Sequence, residues 1–196
     1  MVSVVIPAME ERVSTTAVAR PARFPLGTAW TALASVTDPE IPIVSVLELG
    51  IVRGLCWDDD DPATLVVTVT PTYSGCPATE VIAASIRDAL NAAGIDRTRV
   101  ETALLPAWTT DWITPEGSRK LREFGIAPPD GTRAVSKSAT IDVTGISPLR
   151  RFAIAVACPR CASKRTKLVS QFGSTACKAH YRCLDCLEPF DYFKPH

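Results

Sequence analysis

Leu65-Val-Val-Thr-Val-Thr-Pro-Thr-Tyr-Ser-Gly-Cys-Pro-Ala-Thr-Glu-Val-Ile-Ala-Ala-Ser-Ile-Arg-Asp-Ala-Leu-Asn-Ala-Ala-Gly94 changes its apolar period once. Leu65, Val67 and Val69 alternate with Val66, Thr68 and Thr70, which is the period of a strand. Val81, Ile82, Ile86, Ala89, Leu90 and Ala93 then fall on one face of a helix, and Gly94 is placed to stop it. Between the two patterns lies Pro71 to Pro77, a loop of Thr, Tyr, Ser and Gly that carries Cys76. A strand handing over to a helix across such a loop decides the fold class.

Working outward, Ile51 to Trp57 alternates with Ile51, Leu55 and Trp57 on one face, and Asp58 to Pro62 makes a polar turn. With Leu65 to Thr70 this predicts a β-hairpin. The acidic run in its turn reads as a solvated loop, with cation binding as the rarer alternative. Thr28 to Val36 has helical spacing and is ended by Pro39 and Pro42. Val100 to Leu105 reads as a third strand, and Pro115 to Phe124 as a third helix with Pro in its first turn. Helix, hairpin, helix and strand in this order predict an α+β fold, a two-layer domain with helices packed on one side of a small sheet. The expected organisation is a flexible arm over 1–25, the α/β domain over 26–127, a linker over 128–149 with strand character near Ala139 to Val143, and a β-rich ribbon over 150–196.

Composition limits the partners. The 21 basic and 21 acidic residues cancel, so no global field draws the chain toward nucleic acid or anionic lipid. No run approaches the roughly 18 apolar residues of a membrane span. Glu10 and Glu11 argue against a secretory signal and against a transit peptide. Four of the 7 cysteines form two Cys-x-x-Cys pairs near the end of the chain, which favours metal in a reducing cytoplasm over disulfides.

Those pairs, Cys158-Pro-Arg-Cys161 and Cys183-Leu-Asp-Cys186, have the spacing of a zinc ribbon. Each two-residue gap lets a tight turn aim two thiolates at one ion, and two turns complete a tetrahedron. A unit this small has little apolar surface, so the metal would supply much of its folding free energy. The ion is read as structural zinc; an iron or iron–sulfur centre and a redox dithiol are the competing readings of the same sulfurs. Cys177 is left over, either a buried inert thiol or an alternative ligand or reactive site, and His180 reads as a surface residue. From Cys158 onward, seven basic residues face three acids, a local excess that permits docking on nucleic acid or on an acidic protein.

Cys76 is expected at or just before a helix N-terminus, where amides and dipole favour a thiolate and lower its pKa. Such a sulfur can attack or ligate soft metal, and the alternative is plain packing. The only histidines are His180 and His196, so a Cys–His catalytic pair is poorly supported and independent turnover is not expected. Cys56 is expected in the core or on the sheet surface.

Asp38-Pro-Glu-Ile-Pro42, Leu49-Gly-Ile-Val52, Thr70-Pro-Thr-Tyr-Ser-Gly-Cys-Pro-Ala-Thr79 and Pro106-Ala-Trp-Thr-Thr-Asp-Trp-Ile113 together resemble the metal–sulfur cluster biosynthesis family. With the tail from Phe172-Gly-Ser-Thr-Ala-Cys-Lys178 through the second cysteine pair, domain and ribbon resemble the D-component family of the bacterial phenylacetyl-CoA ring epoxidase system. The resemblance spans about residues 28 to 196. It implies an accessory protein of aerobic phenylacetate breakdown that matures a metal centre of its partners, the oxygenase or reductase components. It further implies that Cys76 is the family's reactive cysteine, with Asp38 and Glu40 in its acidic motif, handling a transient iron or iron–sulfur cluster. On physical grounds Asp38 before Pro39 is first a turn former. Trp108 and Trp112 read as core or rim aromatics, or else as a docking surface. A purely structural bridging component, a general iron–sulfur carrier and a nucleic-acid-binding ribbon are the alternatives, and a homodimer is left open.

Overall fold

The computed structural model describes residues 24–73, 75–129 and 156–195. The arm over 1–25 and the linker with its strand character at 139–143 lie almost wholly outside the described residues.

Helix α1 (Leu26–Leu33) starts two residues earlier than its apolar spacing predicts, because Pro25 already supplies a φ of −59° at the N-cap. Strands β1 (Val52–Trp57) and β2 (Leu65–Val69) form the expected antiparallel hairpin, with a bulge between Val52 and Gly54. Its acidic turn is closed internally: Asp58 Oδ1 accepts from the amides of Asp60 and Asp61 at 2.8 and 3.0 Å. Arg97 and Arg99, from the neighbouring segment, pair with Asp61 and Asp58.

Helix α2 (Ala78–Ala92) crosses from β2 to β3 (Thr98–Thr102), which pairs parallel to β2 from Leu65↔Thr98 to Val69↔Thr102. This is the crossover that parallel neighbours require. Gly94, at φ +85°, ends α2: its N–H donates to Asn91 O at 2.9 Å and that of Ile95 to Leu90 O at 2.9 Å. The buried row is Ala78, Ile82, Ala83, Ile86 and Leu90. Val81, expected on that face, is exposed, because the row that meets the sheet and α1 runs through 82, 86 and 90 and leaves 81 on its shoulder. Each fully buried Ile or Leu in this row contributes about 1.5–3 kcal/mol.

Helix α3 (Pro115–Glu123) has Pro at its start and Thr114 as N-cap, whose hydroxyl accepts from Gly117 N at 3.0 Å. Gly117 permits the close approach to the Glu48 loop, since a Cβ there would lie 2.9 Å from Glu48 O. Lys120 then reaches Glu48 at 2.7 Å.

A second sheet has the order β4-β7-β6-β5, formed by β4 (Ile126–Ala127), β5 (Thr166–Ser170), β6 (Lys178–Cys183) and β7 (Pro189–Phe193). Strand β4 follows α3 and pairs parallel with β7, so a strand of the α/β unit borders the ribbon's sheet. The cores divide in the same way. Tyr181, Phe190 and Tyr192 pack with Cys158 and Cys183 in a small ribbon core. Phe193 and Cys177, although in the ribbon, belong to the main core with Trp108, Leu49 and Leu121.

Candidate metal and thiol sites

Two turns of matching construction carry the four clustered cysteines. In the first, Cys158 N donates to Ser163 O at 2.9 Å and Ala162 takes a φ of +59°; in the second, Cys183 N donates to Glu188 O at 2.9 Å and Leu187 takes a φ of +63°. In each case the residue after the second cysteine adopts the left-handed conformation that reverses the chain. The turns bring Cys158 Sγ to 3.7 Å from Cys186 Sγ and Cys161 Sγ to 3.6 Å from Cys183 Sγ, and all four sulfurs lie within 4.8 Å of one another. A regular tetrahedron with Zn–S bonds of about 2.3 Å has edges of about 3.8 Å, so the donor set fits a single tetrahedral ion. The Cys183 thiol is lowered to about 7, first by the Cys186 amide and, more weakly, by that of Asp185, whose N lies 3.4 Å from the sulfur. Amides aimed at a thiolate are the ordinary outer shell of such a centre. Salt bridges from Arg160 to Glu188 and Arg165 to Asp185, the latter at 2.8 Å, tie the two turns together.

Cys76 lies immediately before Pro77, the N-cap residue of α2. Its N–H donates to Tyr73 O at 3.2 Å, and its carbonyl accepts from Thr79 Oγ1 at 2.9 Å. The residue is half-buried. The expected lowering of its pKa is overturned: burial pushes the thiol up and the Glu40 and Asp38 carboxylates add to this, outweighing the Ala78 amide and the Thr79 hydroxyl.

Asp38 is buried, and its Oδ1 accepts from Glu40 N at 2.8 Å and Ile41 N at 2.9 Å, so it braces the turn that presents Glu40. Cys177, which sequence reasoning left between an inert thiol and a reactive one, is buried with Thr175 Oγ1 3.0 Å from its sulfur. Burial raises its pKa, as do Glu40 and Asp38, while Lys178 acts in the opposite sense. Tyr73 is also raised, by burial and then by Cys76, Cys177 and Glu40. Tyr73 and Cys177 thus feel the charge of Glu40, a relation that the spacing of residues does not reveal.

Trp108 is a core residue, its Nε1 donating to Leu49 O at 2.9 Å and its ring 5.9 Å from that of Phe193. Trp112 lies at the rim beneath the guanidinium of Arg53, 3.4 Å from the ring centre. Cys56 is exposed on β1, and His180 is half-buried with Nδ1 3.2 Å from Asp191. Among the described residues no helix is long and apolar enough to cross a membrane.

Comparison with known proteins finds two family matches, an iron–sulfur cluster assembly protein family over residues 28–102 and the PaaD zinc beta ribbon domain over residues 147–194. A protein of Escherichia coli (strain K12), provisionally named as the D component of 1,2-phenylacetyl-CoA epoxidase, is 46% identical over 165 residues, covering 84% of this chain and 90% of that protein. Among solved structures, a domain of unknown function from Bacillus anthracis is 25% identical, covers 48% of this chain and 89% of its own, and has a TM-score of 0.44. A conserved hypothetical protein from Thermotoga maritima is 27% identical, covers 50% of this chain and 95% of its own, and has a TM-score of 0.42. A Mycobacterium tuberculosis protein, described as associated with iron–sulfur complex assembly and repair, is 33% identical, covers 54% of this chain and 92% of its own, and has a TM-score of 0.32.

Proposed function

Because the chain belongs to the family of the 1,2-phenylacetyl-CoA epoxidase D component, PaaD, we propose that it is an accessory component of that epoxidase system in aerobic phenylacetate breakdown. Its task in this reading is to help assemble an iron–sulfur or other metal centre in a partner protein of the system, within the reducing cytoplasm that keeps its thiols free. The observation that carries the reading is the half-buried Cys76 at the start of α2, which feels the charge of the Asp38 and Glu40 carboxylates. Burial disfavours the bare thiolate and so favours the proton on the sulfur over an unpaired charge. An approaching iron takes the place of the proton, and thiolate with carboxylate is a donor set that holds iron without enclosing it.

The tetrad has a different duty. Cys158, Cys161, Cys183 and Cys186 would hold a structural zinc with four thiolates and no open position, so no water activation is assigned to it. The ion would stabilise the two turns and the small core above them.

Replacing Cys76 with Ser tests the proposal. Expected is a folded protein that keeps its ribbon metal, together with partner proteins purified from the same cells that lack most of their iron. Partners with full iron and full epoxidase activity would overturn it. A bridging role without metal transfer is the second reading, favoured by Leu104 and Leu105, which are 55% and 86% exposed beyond the end of β3. Fixed-stoichiometry co-purification with the oxygenase component that is lost on Leu105→Asp, alongside unchanged partner iron in Cys76→Ser, would select it.

A further inference from the structure

Strand β5 is the last strand of the ribbon sheet and, among the described residues, pairs only with β6. Its other side is a sheet edge, which offers N–H and C=O groups to another chain. A groove of about 460 Å³ lies across β5, the end of β6 and the second cysteine turn, lined by Lys167, Leu168, Val169, Arg182, Leu184 and Leu187. Leu168 packs on the ribbon core, but Val169, Leu184 and Leu187 are exposed and belong to no core. Leu187 is held at φ +63°, a conformation that favours glycine over leucine. A leucine there serves neither the turn nor the core beneath it. The two cations are as poorly placed for folding. Lys167 lies directly opposite Arg182 in the β5–β6 register, where like charges repel. Among the described residues no carboxylate pairs with either: Asp185 is taken by Arg165, Glu188 by Arg160, and Asp191 faces His180 and Ser174.

We infer that this groove docks an extended segment of a partner protein that is both acidic and apolar, added to β5 as a further strand. Carboxylates of the segment pair with Lys167 and Arg182 and relieve their repulsion, and its apolar side chains cover Val169, Leu184 and Leu187. In this mode main-chain hydrogen bonds to the sheet edge supply affinity, and the side chains supply the choice of partner. Charge and surface together decide the occupant. A second copy of the chain, docked edge to edge, would bring another Lys167 and Arg182 up to the first pair. A nucleic acid would meet four aliphatic side chains where it needs aromatic stacking faces and a track of cations. An acidic, apolar strand answers both the charge and the apolar surface. The inference goes beyond the proposed role of Cys76 and stands whether or not that thiol handles iron.

The probe is a fluorescein-labelled peptide repeating Val-Val-Glu-Glu, whose pattern gives each face of a strand apolar and acidic residues in turn. The control repeats Val-Val-Lys-Lys. Both are titrated by fluorescence anisotropy against zinc-loaded, full-length protein. Expected is saturable binding of the acidic peptide, about tenfold or more tighter than the basic one, with amide hydrogen exchange slowed along β5. Lys167→Glu should weaken the acidic peptide about tenfold, and Lys167→Glu combined with Arg182→Glu should turn the preference to the basic peptide. Zinc content and circular dichroism check the fold of each variant. If Arg182→Glu, next to Cys183, loses zinc, then Lys167→Glu and Val169→Asp, which lie outside both cysteine turns, decide: each must weaken the acidic peptide. No saturation by either peptide, equal binding of both, or unchanged binding in Lys167→Glu overturns the inference. A thymidine oligonucleotide that binds and displaces the acidic peptide would make the groove a nucleic-acid surface and overturn it. So would a dimer in sedimentation that excludes the peptide and dissociates in Val169→Asp, which would make the groove an interface between copies.

Discussion

In the ribbon, sulfurs three residues apart share a turn, and two copies of that turn bring four sulfurs within 4.8 Å of one another; the acids whose charge bears on Cys76, Asp38 and Glu40, come from a separate segment of the chain. The ribbon's geometry is local and complete, with Cys158 and Cys183 buried and Cys161 and Cys186 exposed. Cys76, half-buried, is related to those two carboxylates only through tertiary packing. In the proposed reading the same donor atom serves two ends: four sulfurs with no vacancy hold an ion for good, whereas a lone half-buried sulfur is suited to holding one briefly. Ligand count, rather than the presence of cysteine, would separate a structural centre from a transfer site.

Cys183→Ser should give the largest effect and would break the comparison from the ribbon side. A structural zinc tetrad contributes on the order of 10 kcal/mol to folding. Loss of one buried thiolate should drop zinc content toward zero and melt the ribbon strands, read by metal analysis and circular dichroism; full zinc retention would mean that the tetrad is not the structural centre. Phe193→Ala comes next. It removes a ring that is 1% exposed between the two units, and should cost about 3–5 kcal/mol in denaturant unfolding while zinc is retained. A negligible cost would mean that the units are stable independently.

The smallest effect sharpens the open end of the comparison. Cys76 has a raised pKa, so at neutral pH it carries less thiolate than an unfolded thiol. Alkylation of Cys76 by iodoacetamide, followed by peptide mapping, should be slower in the native protein than in urea at pH 7. The native rate should keep climbing with pH after the unfolded rate has levelled off. A native rate equal to or above the unfolded one would restore the activated thiolate that the position before α2 first suggests.

Much of the fold was legible because it is written in short-range pattern. The β1–β2 hairpin, α2 with its Gly94 stop and α3 with Pro115 all follow from periodicity and helix-end signals within a few residues. The tetrad was legible for the same reason, since its turns are local. What could not be read was whatever depends on distant packing. Nothing near Ile126 in the sequence tells that it pairs with Asp191, or that Phe193 leaves the ribbon's core for Trp108. The charge state of Cys76 was missed on that ground: the helix start is visible from Pro77 onward, but the burial and the acids that outweigh it come from Asp38 and Glu40. Cys177 was seen and left undecided because its neighbours are the product of the fold.

Strand β7, hydrogen-bonded to β4 on one side and β6 on the other, makes the ribbon a poor cassette. A graft onto an unrelated partner would leave Phe193 without its aromatic seat and β7 with a bare edge. A working transplant would have to bring along Ile126, Ala127 and the loop that holds Trp108. Shuffling the two halves between relatives is therefore constrained by a seam of paired residues, and substitutions on one side of that seam should be matched by substitutions on the other.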